Sequence, residues 1–125
     1  MAEAVERVAR DFSGFRDIAL AVILFGSFAR GEETERSDVD VCIVAGKRER
    51  IKEVWDRILE SGLTGRYDVK IFELLPLKLK IEVIRDGKVV FCRDRDELDY
   101  LFWKFRKIWN DEVLQKRKLG LKIYG

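Results

Sequence analysis

The sequence predicts an α+β or α/β fold: a β-sheet with helices packed on one face and a candidate metal site on the open face. Three observations lead there. Short apolar or alternating runs of strand length are interleaved with amphipathic stretches of helical period. One strand, 38–44, carries two aspartates on the same side. A glycine closes or follows several of these elements, as at Gly26, Gly46, Gly62 and Gly87.

The elements follow in order. Val5, Val8, Ala9 and Phe12 recur at helical spacing, so residues 2–12 form an amphipathic helix that Ser13-Gly14 ends. Ile18–Phe25 is an apolar run of strand length closed by Gly26, a buried strand. A short helix over Phe28–Glu33 is expected just after the Gly26-Ser27 turn. In Asp38–Val44, Val39, Val41 and Ile43 face one way and Asp38, Asp40, Cys42 and Val44 the other. Ile51, Val54, Trp55, Ile58 and Leu59 then mark a strong helix ended by Gly62, with Trp55 expected in its buried stripe. Tyr67–Leu74 reads as a third strand, with Asp68, Lys70 and Phe72 sharing a face. Residues 76–85 fit both periods; Pro76 at the start and Asp86-Gly87 at the end favour a helix. Lys88–Cys92 is a short strand, and Asp96–Gln115 a long helix with Leu98, Leu101, Phe102, Phe105, Ile108 and Trp109 as its apolar stripe.

At 125 residues the expectation is a single domain, 1–125, in which residues 96–125 form a C-terminal helix placed to dock a partner. The longest apolar run, Ile18–Phe25, is far short of the roughly 20 residues that span a bilayer, so no membrane association is expected. Cys42 and Cys92 match no metal or redox spacing, and two reduced thiols suit a cytoplasmic protein. A net charge of +2 disfavours direct nucleic-acid binding. The chain has no histidine, which removes imidazole bases, Ser-His and Cys-His pairs and His-ligated zinc. Chemistry must rest on carboxylates, hydroxyls and a bound ion.

The stretch 25–44 supplies them. Gly26 permits a tight turn and the close approach of a phosphate; Ser27 adds a hydroxyl, and the opening of the following helix adds backbone N–H groups. Ten residues later, Asp38 and Asp40 share a face, and such hard oxygen ligands suit Mg²⁺ or Mn²⁺. Together the turn and the pair can hold a metal-bound triphosphate. Asp68 is the candidate third carboxylate, which would allow two ions roughly 3.5–4 Å apart to activate an attacking oxygen and stabilise departing pyrophosphate. Glu73 is the fallback for that role. Arg30 either reaches the phosphates or stands as a solvated charge.

Gly26-Ser27-Phe28-Ala29-Arg30-Gly31 followed by Ser37-Asp38-Val39-Asp40 resembles the signature of the polymerase-beta-like nucleotidyltransferases, and in particular their minimal (MNT) branch. The resemblance implies their α+β fold, a small mixed β-sheet with helices packed on one face, for the first helix through Cys92. It implies that Gly26 and Ser27 bind ATP, and that Asp38, Asp40 and Asp68 are both metal ligands and catalytic, Asp68 also taking the proton of the attacking hydroxyl. Lys70, on Asp68's face, departs from the pattern; it either contacts phosphate or neutralises the site. Small members resemble antitoxins that transfer AMP from ATP to a tyrosine of a HEPN ribonuclease toxin. That implies the same activity and partner here. Two alternatives stand beside it: a non-catalytic antitoxin that masks the toxin, and a nucleotidyltransferase acting on a small molecule or RNA end. Whether the chain forms a homo-oligomer stays open.

Overall fold

A computed structural model of the chain describes residues 2–26 and 39–120. Four strands, β1 (Ala21–Phe25), β2 (Val39–Val44), β3 (Tyr67–Ile71) and β4 (Lys88–Cys92), form one sheet in the order β3-β2-β1-β4. β1 runs antiparallel to both β2 and β4, whereas β2 and β3 are parallel. The sheet is therefore mixed, and the α+β class expected of the sequence holds.

Among the described residues four α-helices accompany it: α1 (Ala2–Asp11), α2 (Ile51–Ser61), α3 (Leu77–Asp86) and α4 (Arg95–Lys118). The two-period segment 76–85 resolves as helix, with Pro76 in extended geometry just before α3. α2 stops at Gly62, whose φ of +72° is the left-handed cap geometry that glycine adopts without steric cost. The Asp94 side chain caps α4 by accepting a hydrogen bond from Glu97 N at 3.1 Å. α4 begins with Asp96 and Glu97 and ends with Lys116, Arg117 and Lys118, a charge order that complements the helix dipole. The segment after Ile71 departs from the expected strand: Phe72–Leu74 is a 3₁₀ turn. The proposed helix at 28–33 lies outside the described residues.

The layering differs from expectation, because helices cover both faces of the sheet. On one face, Val22, Leu24, Val41 and Ile43 pack with Val8 and Phe12 of α1 and Val54 and Ile58 of α2. On the other, Ile23, Cys42 and Val44 pack with Val83 of α3 and Leu98 and Phe102 of α4. The reason lies in β1, which is apolar at every position. A strand with no polar face has to be covered from both sides. Among the described residues, no helix covers the part of the second face around Asp40 and Asp68, both half-buried, and Lys70, exposed.

Two tryptophans, Trp55 and Trp103, are both about half exposed. Trp55 is 45% exposed, against expectation: α2 buries Val54 and Ile58, and Trp55 lies one step round from them with exposed Leu59. Trp103 is 52% exposed on the outer side of α4.

Candidate active site

β2 and β3 place the two described carboxylates. Their parallel register sets Asp40 against Asp68, Val41 against Val69 and Cys42 against Lys70. Residues paired in this way share a sheet face on strands about 4.8 Å apart, so the two carboxylates are lateral neighbours. On the other side of β2, Phe25 is the register partner of Asp40, and Gly26 follows it with φ +75°. A Cβ at Gly26 would lie 2.9 Å from the Cγ of Asp40 and nearer still to its Oδ2. Absence of a side chain at Gly26 thus lets the Asp40 carboxylate stand against the turn. The glycine gives room to an aspartate as well as a tight bend.

The site therefore runs across three strand ends in the order Asp68, Asp40, Gly26. Of the residues singled out in the sequence, these three are brought together. Ser27, Arg30 and Asp38 lie outside the described residues. Among the described residues no three potential metal ligands gather.

Lys70 has a definite position. Its Nζ lies 3.1 Å from Asp68 Oδ1, and the two side chains are 45% and 43% exposed. Of the two roles open to it in the sequence, neutralising the carboxylates is the one this geometry fits.

Glu73 does not serve as an alternative third carboxylate. It accepts hydrogen bonds from Ala45 N and Gly46 N, both at 2.9 Å, and so fastens the turn after β3 to the far end of β2. Five residues of strand separate Asp40 from Ala45, about 17 Å. Nearby, Lys80 is buried, donating to Leu75 O at 2.5 Å and Glu73 O at 3.3 Å, with Phe72 and Phe105 rings beside it. Burial lowers its pKa below the ordinary lysine value, an effect that Glu73 offsets. Neither residue gave a sequence signal of this role, because both depend on how the turn folds back over the sheet.

Beneath the carboxylates Cys42 is fully buried, and burial pushes its thiol far above the ordinary range, which makes it inert. Behind β3, the Tyr67 hydroxyl donates to Asp11 Oδ2 at 2.5 Å, and Arg66 approaches the same carboxylate at 3.5 Å. This bond ties α1 to the residue immediately before Asp68.

α4 carries a second, outward stripe. Tyr100 and Trp103 stack with ring centroids 6.0 Å apart, and Lys107 Nζ lies 5.9 Å from the Trp103 ring centroid. Leu114 continues the line, exposed like both aromatics. No helix among the described residues is long and apolar enough to cross a membrane.

Residues 8–96 match the family described as Polymerase beta, Nucleotidyltransferase. A protein of Methanocaldococcus jannaschii, named as a candidate protein adenylyltransferase, is 45% identical over 96 residues, covering 77% of this chain and 72% of its own. A second candidate protein adenylyltransferase of that organism is 36% identical over 75 residues, 58% of this chain and 76% of its own. Among solved structures, a chain of a toxin–antitoxin complex with AMP-PNP superposes with a TM-score of 0.65, at 18% identity over 92% of this chain and 94% of that one. A chain from the complex of a tri-AMPylated Shewanella oneidensis HEPN toxin with its MNT antitoxin gives a TM-score of 0.59, at 18% identity over 92% and 91%. At these identities the structural likeness establishes the fold.

Proposed function

The chain belongs to the polymerase beta nucleotidyltransferase family, and from that premise we propose that it is of the minimal (MNT) branch and transfers AMP from ATP to a tyrosine hydroxyl of a HEPN ribonuclease toxin, as that toxin's antitoxin. The observation that carries the reading is the register pairing of Asp40 with Asp68, with Gly26 on Asp40's other flank. Two hard carboxylates side by side fit Mg²⁺ or Mn²⁺, and Asp38 would complete the donor set.

In this reading Gly26, Ser27 and Arg30 hold the triphosphate. Asp38 and Asp40 hold the ion or ions that accompany it. Asp68, on the side away from Gly26, faces the approaching acceptor and takes the proton from its hydroxyl as the oxygen attacks the α-phosphorus and pyrophosphate leaves. When bound, Mg²⁺ or Mn²⁺ supplies Lewis-acid polarisation of the α-phosphate and neutralises charge on the leaving group. A chain without histidine has no imidazole to share this work.

The acceptor arrives on a docking protein, and the outer stripe of α4 is the surface offered to it. Stacked Tyr100 and Trp103 beside Lys107 have the composition of an interaction hot spot. Lys104, Arg106, Lys107, Lys116, Arg117 and Lys118 give the helix a basic character that suits an acidic partner surface. The names of the protein adenylyltransferases and of the HEPN–MNT complex support a protein acceptor over a small molecule.

The test is transfer of label from α-labelled ATP to the co-purified toxin in the presence of Mg²⁺. Label should appear on the toxin with the wild type and vanish with Asp38→Ala/Asp40→Ala. The masking alternative draws on the Asp68–Lys70 ion pair, which neutralises part of the site without a metal. If the double variant still protects cells from the toxin, masking is the mechanism and transfer is not.

A further inference from the structure

Building on Asp68 as a metal ligand, we propose that Lys70 is a resident counter-cation of the site: its ammonium group occupies Asp68 until a divalent ion displaces it.

The alternation of β3 puts Asp68 and Lys70 on one face, and Lys70 Nζ lies 3.1 Å from Asp68 Oδ1. Asp40 is the register neighbour of Asp68, so two like charges meet at this point of the sheet. Adjacent carboxylates raise each other's energy unless a cation stands by them. Among the described residues, Lys70 is a cation held at this point, on Asp68.

Its placement decides what it does. With strands in the order β3-β2-β1, the Gly26 turn is two strand spacings from β3, about 9.6 Å. Lys70 is thus on the acceptor side of the carboxylates, remote from the triphosphate cradle. Its partner there is the Asp68 carboxylate, the group that would hold a metal.

The ion pair is also built to be given up. Both side chains are nearly half exposed, and exposed pairs contribute little net stability. A divalent ion arriving alone must oust the ammonium group and tolerate it nearby. The same ion arriving with a triphosphate brings its own negative charge. Lys70 therefore couples metal loading to nucleotide loading and disfavours the metal-only state.

The effect has a measurable size. In bulk-water dielectric, a unit charge about 6 Å from a doubly charged ion weakens its binding about tenfold. Titration of the nucleotide-free full chain with Mn²⁺, read from the free-ion EPR signal, tests it. Lys70→Met should bind Mn²⁺ about tenfold more tightly than the wild type, and Lys70→Gln should do the same. Lys70→Arg should match the wild type. Adding Asp68→Asn to Lys70→Met should abolish the gain. Wild-type affinity in both neutral variants, with an unchanged thermal melt and with binding still lost in Asp40→Asn, would overturn the role of Lys70 and leave the metal reading standing. No Mn²⁺ binding in any of these proteins would overturn both.

Discussion

Gly26 and Asp40 share one small volume at the ends of β1 and β2: a Cβ on Gly26 would lie 2.9 Å from Asp40 Cγ, and nearer to Oδ2. The backbone there has φ +75°, so alanine would also adopt a strained conformation, costing about 1–2 kcal/mol. A short side chain can rotate away from the clash, so the fold survives where the site does not. Gly26→Ala should leave a folded protein, destabilised by about 1–2 kcal/mol in urea. AMP transfer should fall at least about a hundredfold, because the Asp40 carboxylate no longer stands against the turn and a 1 Å misplacement alone costs on that order. Paired urea melts and label-transfer rates measure both.

Asp68 and Glu73 are five positions apart in sequence and opposite in consequence. Asp68 neighbours Asp40, whereas Glu73 satisfies the N–H groups of Ala45 and Gly46. Asp68→Asn should abolish transfer with stability changed by no more than about 0.5 kcal/mol, since the residue is half-exposed and its ion pair is a surface one. Glu73→Ala should do the reverse. Losing two charge-assisted hydrogen bonds costs about 2–3 kcal/mol, yet the remaining folded fraction should still transfer AMP. Transfer rates normalised to folded protein separate the two. A stable but inactive Glu73→Ala would contradict the assignment.

The hydroxyl of Tyr67 and the carboxylate of Asp11 make a third testable contact. Tyr67→Phe removes a hydrogen bond to a charged acceptor and should cost about 1.5 kcal/mol near neutral pH. Burial first, and then Asp11, raises the Tyr67 pKa above its ordinary value of about 10. The folded protein therefore keeps this proton to higher pH than the unfolded chain does. The resulting stability is fully present below the unfolded value and is lost as pH rises through the folded one. Lys80 titrates with the opposite sign, but equally in both proteins, so it cancels from the comparison. The difference between wild type and Tyr67→Phe should be constant at neutral pH and shrink above pH about 10.

Much of the site was legible because strand period is rigid. Given a strand at 38–44, Asp40 must share a face with Cys42 and Val44; given one from Tyr67, Asp68 must share one with Lys70. The lateral pairing of Asp40 with Asp68 was not legible. It depends on the parallel register of β2 and β3, which α2 and its packing determine. The two-sided cover of the sheet was present in the unbroken apolar run of β1, read there only as burial. Trp55 shows the limit of helical periodicity. A stripe of five apolar residues was counted as core, but α2 fully buries only Val54 and Ile58, leaving Trp55 and Leu59 at the rim. Glu73 and Lys80 carried no signal, since their partners are backbone groups of a turn.

Trp103 and Trp55 permit the last prediction, which concerns docking. Trp103 belongs to the outer stripe of α4, with Tyr100 stacked on it and Lys107 beside it. Trp55 belongs to α2, in the helix layer on the opposite sheet face. Neither side chain is buried enough for truncation to open a core cavity, so both alanine variants should fold with stabilities within about 1 kcal/mol of the wild type. A hot-spot aromatic loses 2 kcal/mol or more of binding on truncation, about thirtyfold in affinity. Trp103→Ala should therefore weaken binding of the toxin about thirtyfold and raise the toxin concentration needed for transfer, while Trp55→Ala changes neither. Lys107→Ala should weaken binding less, with a loss that shrinks as salt is raised, because its charge is exposed and screened. Surface-immobilised toxin titrated with each variant at two salt concentrations reads all three. Loss of binding in Trp55→Ala with Trp103→Ala unaffected would move the docking surface to the α2 side of the molecule.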